Sequence, residues 1–240
     1  DMNGYGHFLD GNLWVKAYWL LFGVLILFLA STLKERRSYW SFKKWLSDRK
    51  SKSAHLFVFI CLLLFAMTGG FIFYNTNVLN DFWTEVEKNK FRVGYEKTLK
   101  QFEYIPQPKI ISTNLKIDLL PSKRSYEIDG EYVLTNTFEE PIQTIHIQKI
   151  VESHVELSEI IFDRQVSPDS LYAAYDYIMY KLDKPLSFGD TMKMAFKQIL
   201  AAKGFDIQGN ETEIAYNGTF FDNTALPGFG YQKKYEIQDE

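Results

Sequence analysis

Two stretches near the start of the chain lack the alternation of polar and apolar residues that marks the rest. From Ala17 to Leu33 the sequence AYWLLFGVLILFLASTL carries no charge, and Leu13, Trp14 and Val15 extend it across one interruption at Lys16. From His55 to Tyr74, HLFVFICLLLFAMTGGFIFY holds no Asp, Glu, Lys or Arg. Each run is close to the ~20 residues that a helix rising ~1.5 Å per residue needs to cross ~30 Å of hydrocarbon. Trp14, Tyr18 and Trp19 lie near one end of the first run, and Phe71, Phe73 and Tyr74 near one end of the second. Aromatic rings favour that interfacial depth. The pattern predicts transmembrane helices over 13–33 and 55–74, with Lys16 snorkelling to the interface and Gly69-Gly70 open to close helix packing.

Further along, Asn75, Asn77 and Asn80 mark the exit from the apolar run. Phe91, Tyr95, Leu99 and Phe102 then recur at the spacing of an amphipathic helix, with Pro106 and Pro108 expected to end it. This predicts a juxtamembrane stalk helix within 75–108, its aromatic stripe docked on the domain after it. Past Pro108 the period becomes two. Leu115, Ile117 and Leu119 alternate with polar residues, and Pro121-Ser122-Lys123-Arg124 turns the chain. Tyr126, Ile128, Gly130, Tyr132 and Leu134 share the next register, Glu139-Glu140-Pro141 breaks it, and Ile145, Ile147, Val155 and Leu157 continue. Tyr175, Tyr177 and Met179 oppose Asp176, Ile178 and Tyr180, and a turn at 186–190 precedes Met192, Met194 and Phe196. Short strands between Pro and Gly breaks predict an antiparallel β-sandwich over 109–240. The fold class is therefore mixed: a two-helix transmembrane hairpin, an amphipathic stalk helix and a β-sandwich.

Charge orients this layout. Residues 34–54 carry eight Lys or Arg against Glu35 and Asp48, a net +6 in a short loop. The positive-inside rule places that loop in the cytoplasm, and both the 1–12 flank and residues 75–240 on the other side. Residues 75–240 hold 18 basic and 26 acidic side chains, a balance opposed to nucleic-acid binding, which leaves a basic footprint. A cleaved signal peptide is disfavoured, since the first run lacks a basic n-region and is longer than an ordinary h-region. The sequence begins at Asp1 rather than a methionine, so the expectation is a piece of a longer chain with more membrane segments before it.

Candidate chemistry is sparse. Cys61 is the one cysteine and falls inside the second apolar run, so no disulfide within the chain and no cysteine-built metal site is expected. His7, His55, His146 and His154 form no HExxH, and His146 and His154 fall in strand-like segments where a surface or packing role is expected rather than metal ligation. There is no GxSxG elbow and no phosphate-binding Gly-rich loop. The carboxylates are scattered, and the sequons at Asn210 and Asn217 matter only in a glycosylating pathway. No complete catalytic site and no metal site is expected within these residues.

Several strings, taken in order, carry a resemblance: YEKTLKQFEYIPQPKI (95–110), NLKIDLLPSKRSYEIDGEYVLTN (114–136), LDKPLSFGDTMKMAF (182–196), KGF (203–205) and NGTFFDNTALPGFGYQKKYEI (217–237). Together they resemble the stalk and amino-terminal β domain of bacterial membrane proteins that fuse ABC-type permease helices to a zinc aminopeptidase of the aminopeptidase N type. The opening GYGHFLDGNLWVKAYW resembles the last periplasmic loop and following helix of the permease half. The resemblance implies a saddle-like sandwich, with Leu186 packed inward before a Gly-Asp turn. It also implies a bacterial inner-membrane location with 34–54 cytoplasmic and 75–240 periplasmic. The partners implied are the lipid bilayer, a downstream catalytic domain, peptides and an ABC ATPase subunit.

By the same resemblance the zinc site, HExxH with a downstream Glu, lies after Glu240, and no cofactor belongs to the present residues. Asn217, Gly218, Thr219, Phe220 and Phe221 occupy the place of the family's substrate-lining strand, which in soluble members offers a Gln or Glu to the substrate amine. This stretch has no such counterpart. Asn217, Thr219, Phe220 and Phe221 are therefore the candidate peptide-lining residues, with strand packing as the plainer role. The implied function is membrane anchor and noncatalytic accessory domain. The alternative is a peptide- or partner-binding periplasmic module coupled to an ABC transporter without peptidase activity.

Overall fold

The computed structural model describes residues 9–34, 52–80, 82–151, 154–205, 214–215, 218–219 and 223–237. Most of the basic 34–54 loop and both sequon asparagines lie outside these residues. The chain divides into two compact units, one built on Gly4–Asp81 with Gly204–Asn210, the other on Phe82–Lys203 with Glu211–Glu240.

The first unit contains α1 (Leu9–Lys34) and α2 (Lys52–Phe73). Both are long and apolar enough to span a membrane. They pair antiparallel through aromatic contacts that run in opposite order along the two helices: Trp14 against Phe71, Tyr18 against Phe65 and Phe28 against Phe57. Of the two adjacent glycines, Gly69 makes the close approach. A Cβ there would meet the Tyr18 ring at 3.0 Å, whereas Gly70 faces open space. Cys61 is buried in this unit.

After Phe73 the helix widens into a π-helical turn over Tyr74–Val78. Polar side chains absorb the carbonyls it loosens: Asn75 Nδ2 donates to Phe71 O at 2.9 Å and Thr76 Oγ1 to Ile72 O at 2.9 Å. Asn80 Nδ2 donates to Asn75 O at 2.6 Å and to Phe205 O at 3.3 Å. The buried Phe205 ring lies 6.0 Å from Phe71.

The second unit begins with α3 (Glu85–Leu99), whose start is set by a capping box. Glu87 N donates to Thr84 Oγ1 at 3.3 Å, and Thr84 N donates to Glu87 Oε2 at 2.8 Å. The helix ends at Leu99 and one 3-10 turn, Lys100–Phe102, before either proline. Tyr95 and Leu99 are fully buried. With Tyr177 they form a small core onto which Phe91, Phe102, Tyr175 and Met179 pack. The stripe therefore docks on the strands of the β domain.

Ten strands form two four-stranded antiparallel sheets and one two-stranded ladder among the described residues. The first sheet contains β1 (Lys109–Leu120), β2 (Ser125–Thr135), β4 (Val155–Phe162) and β7 (Thr191–Ala201), in the order β1-β2-β7-β4. The second contains β3 (Ile142–Gln148), β5 (Val166–Asp169), β6 (Tyr177–Leu186) and β10 (Gly228–Phe229), in the order β10-β3-β6-β5. β8 (Ile214–Ala215) pairs with β9 (Gly218–Thr219).

Both four-stranded sheets feed one hydrophobic cluster, with Tyr126, Ile128, Tyr132 and Leu134 from β2, Ile145 and Ile147 from β3, and Met192, Met194 and Phe196 from β7. β6 has two buried faces: Ile178, Tyr180 and Leu182 join this large cluster, whereas Tyr177 and Met179 join the helix cluster. Tyr175 sits in a 3-10 turn before β6 rather than in the strand.

Leu186 is fully buried, and the turn after it closes through Asp190 N donating to Ser187 O at 3.0 Å and Ser187 N to Asp190 Oδ2 at 3.1 Å. Asn136 ties this turn to the β2–β3 connection. Its Nδ2 donates to Leu186 O and Glu140 O, both at 2.9 Å, and its Oδ1 accepts from Phe138 N at 2.8 Å. β1 departs from the expected pattern. Leu115 and Ile117 are half-buried and Leu119 is exposed, because β1 is the edge of its sheet with a neighbour on one side only.

Candidate functional site

A cleft of about 460 Å³ opens in the second unit. Its walls include Ile110 and Thr113 from β1, Tyr132 from β2, Lys149 just after β3, and Gln232 and Lys234 after β10. The volume is in the range of small-ligand sites. No Asp or Glu is among the described residues that line it.

A buried polar bundle built around Tyr95 holds one side of this cleft. The Tyr95 hydroxyl donates to Gln148 Oε1 at 3.1 Å and accepts from the backbone N–H of Gln232 at 3.0 Å. Gln148, itself a lining residue, turns its Nε2 toward the carbonyls of Lys149, Tyr175 and Asp176 at 3.0, 3.0 and 3.2 Å. Gln232 Nε2 donates to Phe229 O at 3.0 Å. The helix thus fixes both the β3 end and the segment after β10, the two backbone pieces that carry Lys149 and Lys234. Burial pushes the Tyr95 hydroxyl up to about 12, so it stays protonated and able to donate.

A second pairing lies beside this bundle. His146 Nδ1 and the Tyr177 hydroxyl are 2.9 Å apart, with the Phe102 ring 5.0 Å from the imidazole. Burial lowers the His146 pKa from 6.5 to about 4, so the ring is neutral at pH 7, and it raises that of Tyr177. The His146 N–H donates to Gln107 Oε1 at 2.8 Å, and Gly230 N donates to His146 O at 2.9 Å. His146 is buried in the strand-helix packing. It joins no group of three or more His, Cys, Asp or Glu able to hold a metal ion, and no such group occurs among the described residues.

Of the four candidate peptide-lining residues, Asn217, Phe220 and Phe221 lie outside the described residues. Thr219 is in β9, opposite Ile214, and is not among the residues lining the cleft. Gln148, Lys149, Gln232 and Lys234 are not marked by the sequence pattern. Alternation assigns Ile145 and Ile147 to the core and leaves His146 and Gln148 on the outer face of β3. That outer face is covered by the α3 stripe, and the available signal was the coincidence of an aromatic helix face with polar residues on the far side of a strand.

No protein-family model and no curated protein sequence matches this chain. Among solved structures it is similar to a mutant two-domain M1 zinc metallopeptidase bound to L-tryptophan, with 13% identity and a TM-score of 0.33 over 42% of this chain and 22% of that one. It is similar also to the M1 zinc metallopeptidase from Deinococcus radiodurans, with 13% identity and a TM-score of 0.32 over 40% of this chain and 21% of that one. The match therefore spans about a fifth of the length of those M1 zinc metallopeptidases.

Proposed function

We propose that this chain is the membrane anchor and noncatalytic amino-terminal accessory domain of a membrane-bound zinc aminopeptidase fused to an ABC-type permease, and that its β domain helps to shape the peptide-binding cleft. The observation that carries the reading is where the family-like strings fall. Those at 95–110, 114–136 and 182–196 supply Tyr95 and Leu99, the whole buried face of β2, and Leu182, Leu186, Met192, Met194 and Phe196. Strings that resemble one domain thus build the buried parts of one compact unit. Two antiparallel sheets sharing a hydrophobic cluster support reading that unit as the saddle-like β-sandwich.

The membrane part of the reading rests on α1 and α2, which expose large apolar side chains such as Leu13, Trp19, Leu20, Leu27 and Leu62. A surface so apolar is tolerated in lipid and is a liability in water. With the +6 loop toward the cytoplasm, the β domain stands in the periplasm of a bacterial inner membrane. Among the described residues no group of three or more His, Cys, Asp or Glu could hold a metal ion. In this reading zinc and its chemistry belong to a domain encoded after Glu240.

The reading is tested by the coding sequence downstream of Glu240: an HExxH motif with a further Glu is expected within about one domain's length. A coding sequence that continues without that motif refutes the peptidase assignment. It would leave the second reading, a peptide-binding module coupled to a transporter, which the cationic cleft of the β domain favours.

A further inference from the structure

The cleft is lined in part by the outermost strand of each four-stranded sheet. β1 is the outermost strand of its sheet and contributes Ile110 and Thr113; β10 is the outermost strand of the other and contributes Gly228. An outermost antiparallel strand turns half of its backbone N–H and C=O groups away from its neighbour, where an extended chain can pair with them. β1 is irregular at this point, since its register with β2 shifts between Ile110 and Ser112. A bulge of this kind bends a strand and redirects its edge.

Among the described residues the charge that lines the cleft is one-sided. Lys149 and Lys234 line the cleft, and neither makes an ion pair among the described residues. Lys234 Nζ stands 4.9 Å from the centroid of Tyr235, another lining ring, and is placed there by a cation–π contact. Asp176 lies within electrostatic reach of Lys149: burial raises its pKa, and the charge of Lys149 lowers it. Thr113 adds a hydroxyl to the same cleft.

We propose that this cleft binds an extended peptide segment ending in a free carboxylate, with its backbone pairing along a strand edge and its carboxylate between Lys149 and Lys234. Edge pairing supplies sequence-tolerant affinity, and the two ammonium groups select the chain end. The proposal rests on the peptide-cleft part of the function above, but does not depend on a zinc peptidase being attached.

The experiment uses the full chain in lipid nanodiscs and the probe N-acetyl-Ala-Ala-Val-Ala, whose blocked amine keeps it from being an aminopeptidase substrate. Binding is followed by titration calorimetry with the free acid, with the C-terminal amide, and with a backbone N-methylated acid. The acid is expected to bind saturably, and the amide about tenfold more weakly, as two partly exposed ion pairs supply. The N-methylated acid is expected to bind more weakly than its parent, and Lys149→Gln with Lys234→Gln to abolish the preference for acid over amide. Absence of saturable binding, equal binding of acid and amide, or equal binding of the N-methylated acid overturns the proposal. Because the probe carries no free amine, those outcomes are distinct from a failure of the aminopeptidase reading, which is judged on the downstream motif and on activity.

Discussion

The hydroxyl of Tyr95, on the third helix, donates a 3.1 Å hydrogen bond to Gln148 at the end of β3, 53 residues later. The same oxygen accepts from Gln232 N at 3.0 Å, so one group joins α3 to both backbone pieces that carry the cleft lysines. Tyr95→Phe keeps the ring, but removes the partner of the buried Gln148 Oε1 and of the partly buried Gln232 N. The expected loss is about 1–3 kcal/mol in urea unfolding of the chain in detergent. Leu99→Ala, which empties the same cluster without touching a hydrogen bond, is expected to cost about 2–5 kcal/mol.

Acid sensitivity follows from His146. Its imidazole is held at about 4 by burial, against 6.5 for an ordinary histidine. Above pH 6.5 both folded and unfolded chains carry a neutral ring and the stability is fully present. As the pH falls from 6.5 toward 4 the unfolded chain takes up a proton that the folded chain excludes, and stability drops by an amount on the order of 3 kcal/mol. Urea midpoints measured from pH 7 to pH 4 should show this slope, and His146→Gln should flatten it.

Gly130 and Phe196 face each other across β2 and β7, and the Phe196 ring fills the space where a Gly130 side chain would stand. Gly130→Ala is expected to destabilise the β domain by about 1–3 kcal/mol through overpacking. Adding Phe196→Leu should recover part of that loss, a coupling that a double-mutant cycle of unfolding free energies reads directly.

Topology is open to a reporter test. A fusion after residue 45 is expected to report the cytoplasm and one after residue 108 the periplasm, because the net +6 loop between the apolar runs sets the orientation. The reverse pattern would invert the whole layout.

Much of this fold was legible in the residue pattern, for physical reasons that also explain the gaps. The Phe91, Tyr95, Leu99 and Phe102 stripe named a helix and its buried face, since only one side of it meets protein. The alternation from Tyr126 to Leu134 named the β2 face, since β2 has a neighbour on both sides and a core beneath. β1 obeyed the same alternation less closely because an edge strand buries less. The inner role of His146 and Gln148 was not legible. Period two separates the faces of a strand, but does not tell that a helix from an earlier part of the chain covers the second face. The cleft lysines were hidden for a related reason: Lys149 and Lys234 are 85 positions apart, and long-range contacts such as the β3–β10 pairing place their segments together. Of the candidates at 217–221, Thr219 is described and pairs with β8.

Whether this chain anchors and helps to shape a membrane-bound zinc aminopeptidase is decided most directly by activity. The quantity to measure is the rate at which the full-length protein, purified in nanodiscs, releases the first residue of unblocked peptides, with zinc, with a chelator, and after zinc is restored. The expected result is cleavage that the chelator abolishes, that zinc restores, and that an N-acetyl block on the peptide prevents. No cleavage by the zinc-supplied protein, or cleavage that survives the chelator unchanged, would contradict the proposed function.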